Sequence, residues 1–218
     1  MKRFFRDNGL TVVLFFLFGL FLVGQTATGY RTYNHDQRDH HSPAVSFGEY
    51  LTSGHFGEAV FENWESEFLQ MSGYILLTIW LRQRGSAESK KIDQPEDVDR
   101  DPAPSTKKNK PWPAKRGGVV LKLYENSLSL AFVLLFLMSF FLHGQQGTKV
   151  YNGEQKEHGG KPVSMMTYMR TSQFWFESLQ NWQSEFLATG CIVFFSVYLR
   201  QKGSPESKPV DMANEEMP

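Results

Sequence analysis

Apolar residues along the chain are concentrated in four runs that are separated by strongly polar segments. Each run is shorter than the ~20 residues that cross a bilayer as a helix, so buried helices of a soluble protein are the competing interpretation. The first and third runs are apolar around the whole helix circumference, whereas a soluble surface helix keeps a polar face. We therefore predict four transmembrane helices. With their weakly polar flanks they cover about residues 9–28, 63–82, 124–144 and 182–200.

The two halves of the chain repeat each other. Residues 8–90 align with residues 126–208 without a gap at an offset of 118, and 27 of these 83 positions are identical. About 5 identities would be expected by chance from ordinary composition. Polar positions match as well as apolar ones, which shared hydrophobicity does not explain. The sequence therefore predicts two tandem copies of one two-helix hairpin, and we call residues 118 positions apart corresponding residues.

The predicted orientation follows from the distribution of Lys and Arg. The first run alone resembles a secretory signal, but it corresponds to a mid-chain helix, so we expect it to be retained. With both termini and the central segment in the cytoplasm, 17 of the 23 Lys and Arg residues lie inside. The positive-inside rule then predicts an N-in, C-in topology. Two helices per copy give both copies the same orientation in the membrane.

The predicted domain organisation has four parts. Residues 1–90 form the first hairpin repeat, and residues 118–208 form the second. Residues 91–117 carry several prolines, mixed charge and almost no aliphatic side chains, which predicts a disordered cytoplasmic linker. Residues 209–218 are predicted to be a disordered C-terminal tail.

The segments outside the membrane are too long for simple turns, and short outer-face helices are expected there. Ser46 and Glu49 are spaced as in a capping box, which favours one such helix in the first copy. At the other end of each hairpin, Gly85 and Gly203 are predicted to be C-terminal helix caps. The fold class is therefore an all-α membrane protein with four spans and short outer helices.

One polar face is the candidate functional site. Its residues are spaced i, i+3 and i+4 near the outer end of a predicted span in each copy, so they share one side of a helix. An ionisable group at that depth is costly unless it faces protein or water, which makes it a candidate functional position. The two faces could line one outward-open vestibule. The candidate vestibule residues are Asn63, Ser66, Glu67, Asn181, Ser184 and Glu185.

A structural interpretation of the same residues stays open. Trp64 and Trp182 are typical of an interfacial aromatic belt. Asn and Ser commonly form hydrogen bonds between membrane helices, and the two glutamates could pair with Arg31 and Lys149 or extend to the outer water. Four basic residues are expected to mark the cytoplasmic boundary. They are Arg82, Arg84, Arg200 and Lys202.

Other chemistry is weakly supported. The single Cys191 excludes an intramolecular disulfide and fits a small packing residue. His40 and His158 each follow an acidic residue, but no fixed ligand spacing is kept in both copies, so we expect no metal site and no cofactor. The chain has 23 basic and 23 acidic residues, which gives no general attraction to nucleic acid.

Two motifs resemble those of a known family. Residues 181–187 (NWQSEFL) and 199–209 (LRQKGSPESKP), together with their first copies, are similar to bacterial membrane proteins of domain-of-unknown-function family 6766. The resemblance covers the chain except the linker and the last residues. The first copy departs from the pattern at Glu65, where Gln is usual, and at Ala87, where Pro is usual. The resemblance implies a bacterial plasma (inner) membrane and implies no activity.

Three functions remain after this reasoning. A non-enzymatic structural or partner-binding membrane protein comes first, because every polar feature has a structural explanation. A channel or carrier for a small solute, ion or proton, with Glu67 and Glu185 as its coordinating groups, is the alternative. A membrane enzyme is third, because the sequence offers no recognisable nucleophile or phosphate loop. The expected partners are the lipid bilayer, and beyond it other membrane proteins or a second copy of the chain.

Overall fold

The structure, a computed structural model, describes residues 2–102 and 109–217. These described residues form helices and no strands, which confirms the predicted all-α class. Four of the helices are long and four are short. They are α1 (Lys2–Asp39), α2 (Phe47–Leu51), α3 (Gly54–Trp80), α4 (Trp112–Arg116), α5 (Gly118–Glu125), α6 (Ser127–Glu157), α7 (Met165–Tyr168) and α8 (Ser172–Tyr198).

Two of the long helices, α1 and α6, are long and apolar enough to cross a membrane. Over their most apolar 18 residues, none of α1 and 22% of α6 is buried inside the protein. A core helix of a soluble protein would be mostly buried. Helices α3 and α8 do not reach the same apolarity, because glutamate, asparagine and glutamine residues occupy their first halves.

The chain divides into two compact units, each of which takes residues from both predicted hairpins. The first unit comprises Met1–Phe61 and Leu142–Thr171. The second unit comprises Glu62–Phe141 and Ser172–Pro218.

In the first unit, one asparagine fixes the chain after each of α1 and α6. The Asn34 amide donates to the Val45 carbonyl oxygen at 3.2 Å, and the Val45 N–H donates back to Asn34 Oδ1 at 2.7 Å. Asn152 makes the same two hydrogen bonds with Val163, at 3.0 and 2.7 Å. The paired bonds satisfy one backbone donor and one acceptor in each segment.

The short helices α2 and α7 begin at corresponding serines. Ser46 caps α2 and the Glu49 carboxylate accepts from the Ser46 N–H, so the predicted capping box is confirmed. In α7, the Ser164 side chain accepts a hydrogen bond from the Thr167 N–H. Thr167 has no carboxylate that could accept from the Ser164 N–H, so this cap is not a capping box. Each helix buries one tyrosine, Tyr50 at 2% and Tyr168 at 0% exposure.

In the second unit, aromatic side chains of α6 pack against α3 and α8. The Phe132 ring lies 6.2 Å from Phe68 of α3, and the Phe140 ring lies 5.4 Å from Phe174 of α8 in an edge-on arrangement. Ser139 between them is completely buried. A small residue at this place lets a neighbouring helix come close to the backbone of α6.

The ends of α3 and α8 differ from the prediction. Gly85 and Gly203 have positive φ angles of 80° and 88°, but the helices end earlier, at Trp80 and Tyr198. The last carbonyl groups are capped instead by arginine side chains. Arg82 donates to the carbonyls of residues 78, 79 and 81, and Arg200 does the same for residues 196, 197 and 199. An arginine near a helix C-terminus satisfies these groups without a glycine.

The linker and the tail contain local structure where they are described. A short 3-10 helix covers Asp97–Asp99, and residues 103–108 of the predicted disordered linker lie outside the described residues. In the tail, the Lys208 ammonium donates to the carbonyl oxygens of Ala213, Asn214 and Glu216 at 2.9–3.1 Å. Disorder of these two segments in solution stays a prediction.

Candidate functional site

The predicted vestibule residues of the first copy lie on α3. Asn63 and Glu67 are exposed, whereas Ser66 is 1% exposed. The Ser66 hydroxyl donates to the Asn63 carbonyl oxygen at 2.7 Å, so this hydrogen bond stays within its own helix. The i, i+3, i+4 spacing therefore gives two exposed side chains and one that points into the protein.

The corresponding residues on α8 also differ from one another. Ser184 is exposed, whereas Asn181 and Glu185 are half-buried. The Asn181 amide donates to the Glu177 carbonyl oxygen at 3.0 Å, again within one helix. The negative charge of Glu67 acts on Glu185. Among the predicted vestibule residues, this pair shows an electrostatic interaction between α3 and α8.

The most buried acidic group near this site is Glu65, which sequence reasoning did not select. Its side chain is completely buried, and its Oε1 atom accepts a hydrogen bond from the Trp182 indole at 3.0 Å. The corresponding residue in the second copy is the exposed Gln183. The difference between the copies at this position, Glu65 against Gln183, was therefore the sequence signal that Glu65 is buried. The interfacial role of Trp64 and Trp182 stays a prediction.

Further polar contacts join α3 to α8. The Gln70 amide donates to the Thr189 hydroxyl at 2.5 Å. Close to it, a Cβ atom at Gly73 would lie 3.3 Å from the Phe186 ring, so glycine allows the two helices to approach. The Gln70 and Glu65 hydrogen bonds show that polar side chains of α3 pack against α8 inside the second unit.

The loops after α3 and α8 have the same hydrogen bonds. Ser86 accepts from the Glu88 N–H at 3.1 Å, and Ser204 accepts from the Glu206 N–H at 3.2 Å. The Ser86 hydroxyl also shares a 2.7 Å hydrogen bond with Ser196 of α8. The repeated LRQxGSxESK motif therefore builds a defined loop, which explains these polar residues without a bound partner.

A cavity of about 380 Å³, the inner cleft, lies between the C-terminal halves of α3 and α8. Its lining surface is mainly apolar, and Glu88 and Arg82 are the charged residues among its polar ones. The Glu88 carboxylate accepts from the Tyr74 hydroxyl at 3.0 Å. Burial raises the pKa of Glu88, and the neighbouring Glu206 adds to the rise. A carboxyl group and an arginine beside apolar walls suit a ligand with an apolar body and a polar end.

A second cavity of about 300 Å³, the outer cavity, lies in the first unit. His55 lines it, and the buried His55 Nδ1 atom has no hydrogen-bond partner among the described residues. The imidazole lies tilted by 41° to the Tyr33 ring, with 5.0 Å between the ring centroids. Burial lowers the pKa of His55, and the charge of Asp36 opposes this shift. His40 also lines the cavity, and its Nδ1 atom bonds to the Asp36 carbonyl oxygen at 2.8 Å.

Comparison with known proteins gives one match. A family model described as Domain of unknown function (DUF6766) matches residues 1–217. Neither the curated proteins nor the solved structures contain a match to the chain.

Proposed function

We propose a function for this chain from its own structure. The chain belongs to the family described as Domain of unknown function (DUF6766), and that description names no activity. The function is that of a non-enzymatic membrane protein with a structural or partner-binding role. The observation that carries the proposal is the use of polar groups on α3. Glu65 and Gln70 form hydrogen bonds to α8, so they hold helices together.

Exposed apolar side chains support four membrane spans. Phe16 of α1 is 66% exposed, and the corresponding Leu134 of α6 is 65% exposed. On the other two long helices, Leu77 and Leu187 are 46% and 65% exposed. Surfaces of this kind are rare on soluble monomers and fit contact with lipid or another membrane protein.

The proposed localisation is the plasma membrane of a bacterium, with both termini in the cytoplasm. The concentration of Lys and Arg at the ends of the chain and in its centre supports this orientation. Internal duplication is supported by the hydrogen bonds that corresponding residues share. Asn34 and Asn152 fix Val45 and Val163 in the same way.

Thiol labelling tests the packing role. In a Cys191→Ser background, single cysteines replace Glu67 and Glu185, and intact spheroplasts are treated with a membrane-impermeant maleimide. The proposal predicts slow labelling at both positions, because packed or lipid-facing thiols do not meet the reagent. Cysteines at Pro43 and Lys161, which are exposed in the outer segments, are the rapidly labelled controls.

A channel or carrier is the second candidate, and the electrostatic interaction of Glu67 with Glu185 favours it. Two carboxylates near each other are suited to bind a cation or share a proton. Rapid maleimide labelling at both positions would favour this candidate over the packing role. The double variant Glu67→Gln, Glu185→Gln should then abolish flux in proteoliposomes, and unchanged flux would exclude transport through these groups.

A membrane enzyme is the third hypothesis. Envelope extracts would have to show a reaction that is lost when Asn63, Glu67, Asn181 and Glu185 are changed together.

A further inference from the structure

A polar cluster in the first unit, made of one half-buried and two completely buried side chains, is separate from the residues used above. It consists of Glu58 near the start of α3, His143 in α6 and Tyr168 at the end of α7. We propose that these three residues bind a divalent transition-metal ion. The proposal concerns a further site and does not depend on the packing role of α3 and α8.

The distances within the cluster fit the coordination of one metal ion by all three side chains. A Glu58 carboxylate oxygen and an imidazole nitrogen of His143 lie within 4.8 Å of each other. The Tyr168 hydroxyl lies 3.4 Å from Glu58 Oε1, which is long for an O–H···O hydrogen bond. Two oxygens that bind one tetrahedral ion at about 2.1 Å each are about 3.4 Å apart, so this separation matches shared coordination.

The surroundings are dry and close-packed. His143 and Tyr168 are completely buried. On α6, Gly147 lies one turn after His143, and a Cβ atom there would be 2.5 Å from the Tyr168 hydroxyl and 2.7 Å from Glu58 Oε1. Glycine at this position therefore lets both oxygens reach the side of α6 that carries the histidine.

The donor atoms determine the class of ion. An imidazole nitrogen beside carboxylate and phenol oxygens suits borderline metals such as Zn²⁺, whereas Ca²⁺ and Mg²⁺ prefer oxygen alone. A bound cation also compensates the carboxylate for its loss of solvent. Zn²⁺ is therefore the appropriate probe for this site.

The cluster takes Glu58 from the first copy and His143 and Tyr168 from the second. Tyr168 and Gly147 correspond to Tyr50 and Gly29, which are also in close contact. The residue that corresponds to His143 is Gln25, so the first copy has no imidazole at this place. We therefore expect one ion per chain. A search for ligand spacing kept in both copies does not detect such a site.

Zinc binding by the full chain tests the proposal. The protein is purified in detergent without a histidine tag, stripped with a chelator and titrated with Zn²⁺ against a chromophoric competitor. We expect about one ion per chain, and the variants His143→Gln and Glu58→Gln should each weaken binding by at least about tenfold. His143→Gln introduces the amino acid found at Gln25, so it is a conservative change for this helix position.

Matched controls separate this site from surface histidines and from misfolding. His40→Gln and Tyr50→Phe should bind zinc like the parent protein, and Zn²⁺ should raise the Tm of the parent but not of His143→Gln. Glu58→Gln gives an independent result if His143→Gln does not fold. The proposal is overturned if the parent binds no zinc. It is equally overturned if His40→Gln weakens binding while the cluster variants do not, because the ligands would then lie elsewhere.

Discussion

Helices α1 and α6 occupy corresponding places in the chain, but their surroundings differ. Ser129, Ser139 and His143 of α6 are buried, at 9%, 0% and 0% exposure. On α1, the large side chain of Phe21 corresponds to Ser139 and is 68% exposed. The comparison teaches that similar apolarity does not give similar packing, because small polar residues allow helices to approach and a phenylalanine does not.

The segments that follow these two helices, in contrast, have similar local structure. Asn34 and Asn152 make the same pair of hydrogen bonds, and Ser46 and Ser164 each accept a hydrogen bond from the N–H group three residues later. These contacts join residues close in sequence, so the same side chains produce the same local structure in both places.

Exchanging side chains between α1 and α6 should have the largest effect. Ser139→Phe forces a large ring into a completely buried position and should destabilise the protein by roughly 2–3 kcal/mol, whereas Phe21→Ser should cost less than about 1 kcal/mol. Unfolding by SDS titration in mixed micelles measures both. Equal losses would mean that α1 packs as closely as α6.

Removing the asparagines should show the similarity of the segments that follow α1 and α6. Asn34→Ala and Asn152→Ala should each cost about 2 kcal/mol, since each leaves a valine N–H and carbonyl without their partner. The same SDS titration applies. If the two losses differ by more than about 1 kcal/mol, the shared hydrogen bonds do not contribute equally.

The buried acid on α3 gives an effect of intermediate size. Trp182→Phe removes the donor to Glu65 and should cost about 1–2 kcal/mol in SDS unfolding. In a Glu65→Leu background the same change should cost much less, because no buried acceptor remains. Additive losses in this double-mutant cycle would show that the hydrogen bond contributes little.

The smallest effect concerns acid stability in the first unit. Because burial lowers the pKa of His55 below 6.5 in the folded protein, the unfolded chain binds more protons there. Stability is therefore highest above about pH 6.5 and falls as the pH drops through the folded pKa. His55→Gln introduces the residue found at Gln173 and should reduce this acid sensitivity. Thermal unfolding followed from pH 7 to pH 5 in both proteins measures the change, and identical pH profiles would assign the sensitivity to other groups.

Several local features were predictable from residues close in sequence. The all-helical fold, the capping box at Ser46 and the membrane-compatible length of α1 and α6 follow from patterns of neighbouring residues. The helix ends were predicted wrongly. Glycines were expected to cap α3 and α8, but both helices end before them, and Arg82 and Arg200 cap the last carbonyl groups. Both glycine and arginine are compatible with a helix end, so the sequence alone does not choose between them.

The sequence by itself determined the helical class, the offset between corresponding residues and the local structure after α1 and α6. Only the tertiary structure decided which polar groups are buried. Glu65 was not selected although the exposed Glu67 was, and His143 was not considered as a ligand. The reason is physical: helical periodicity gives the face on which a side chain lies, but burial depends on which distant helix covers that face.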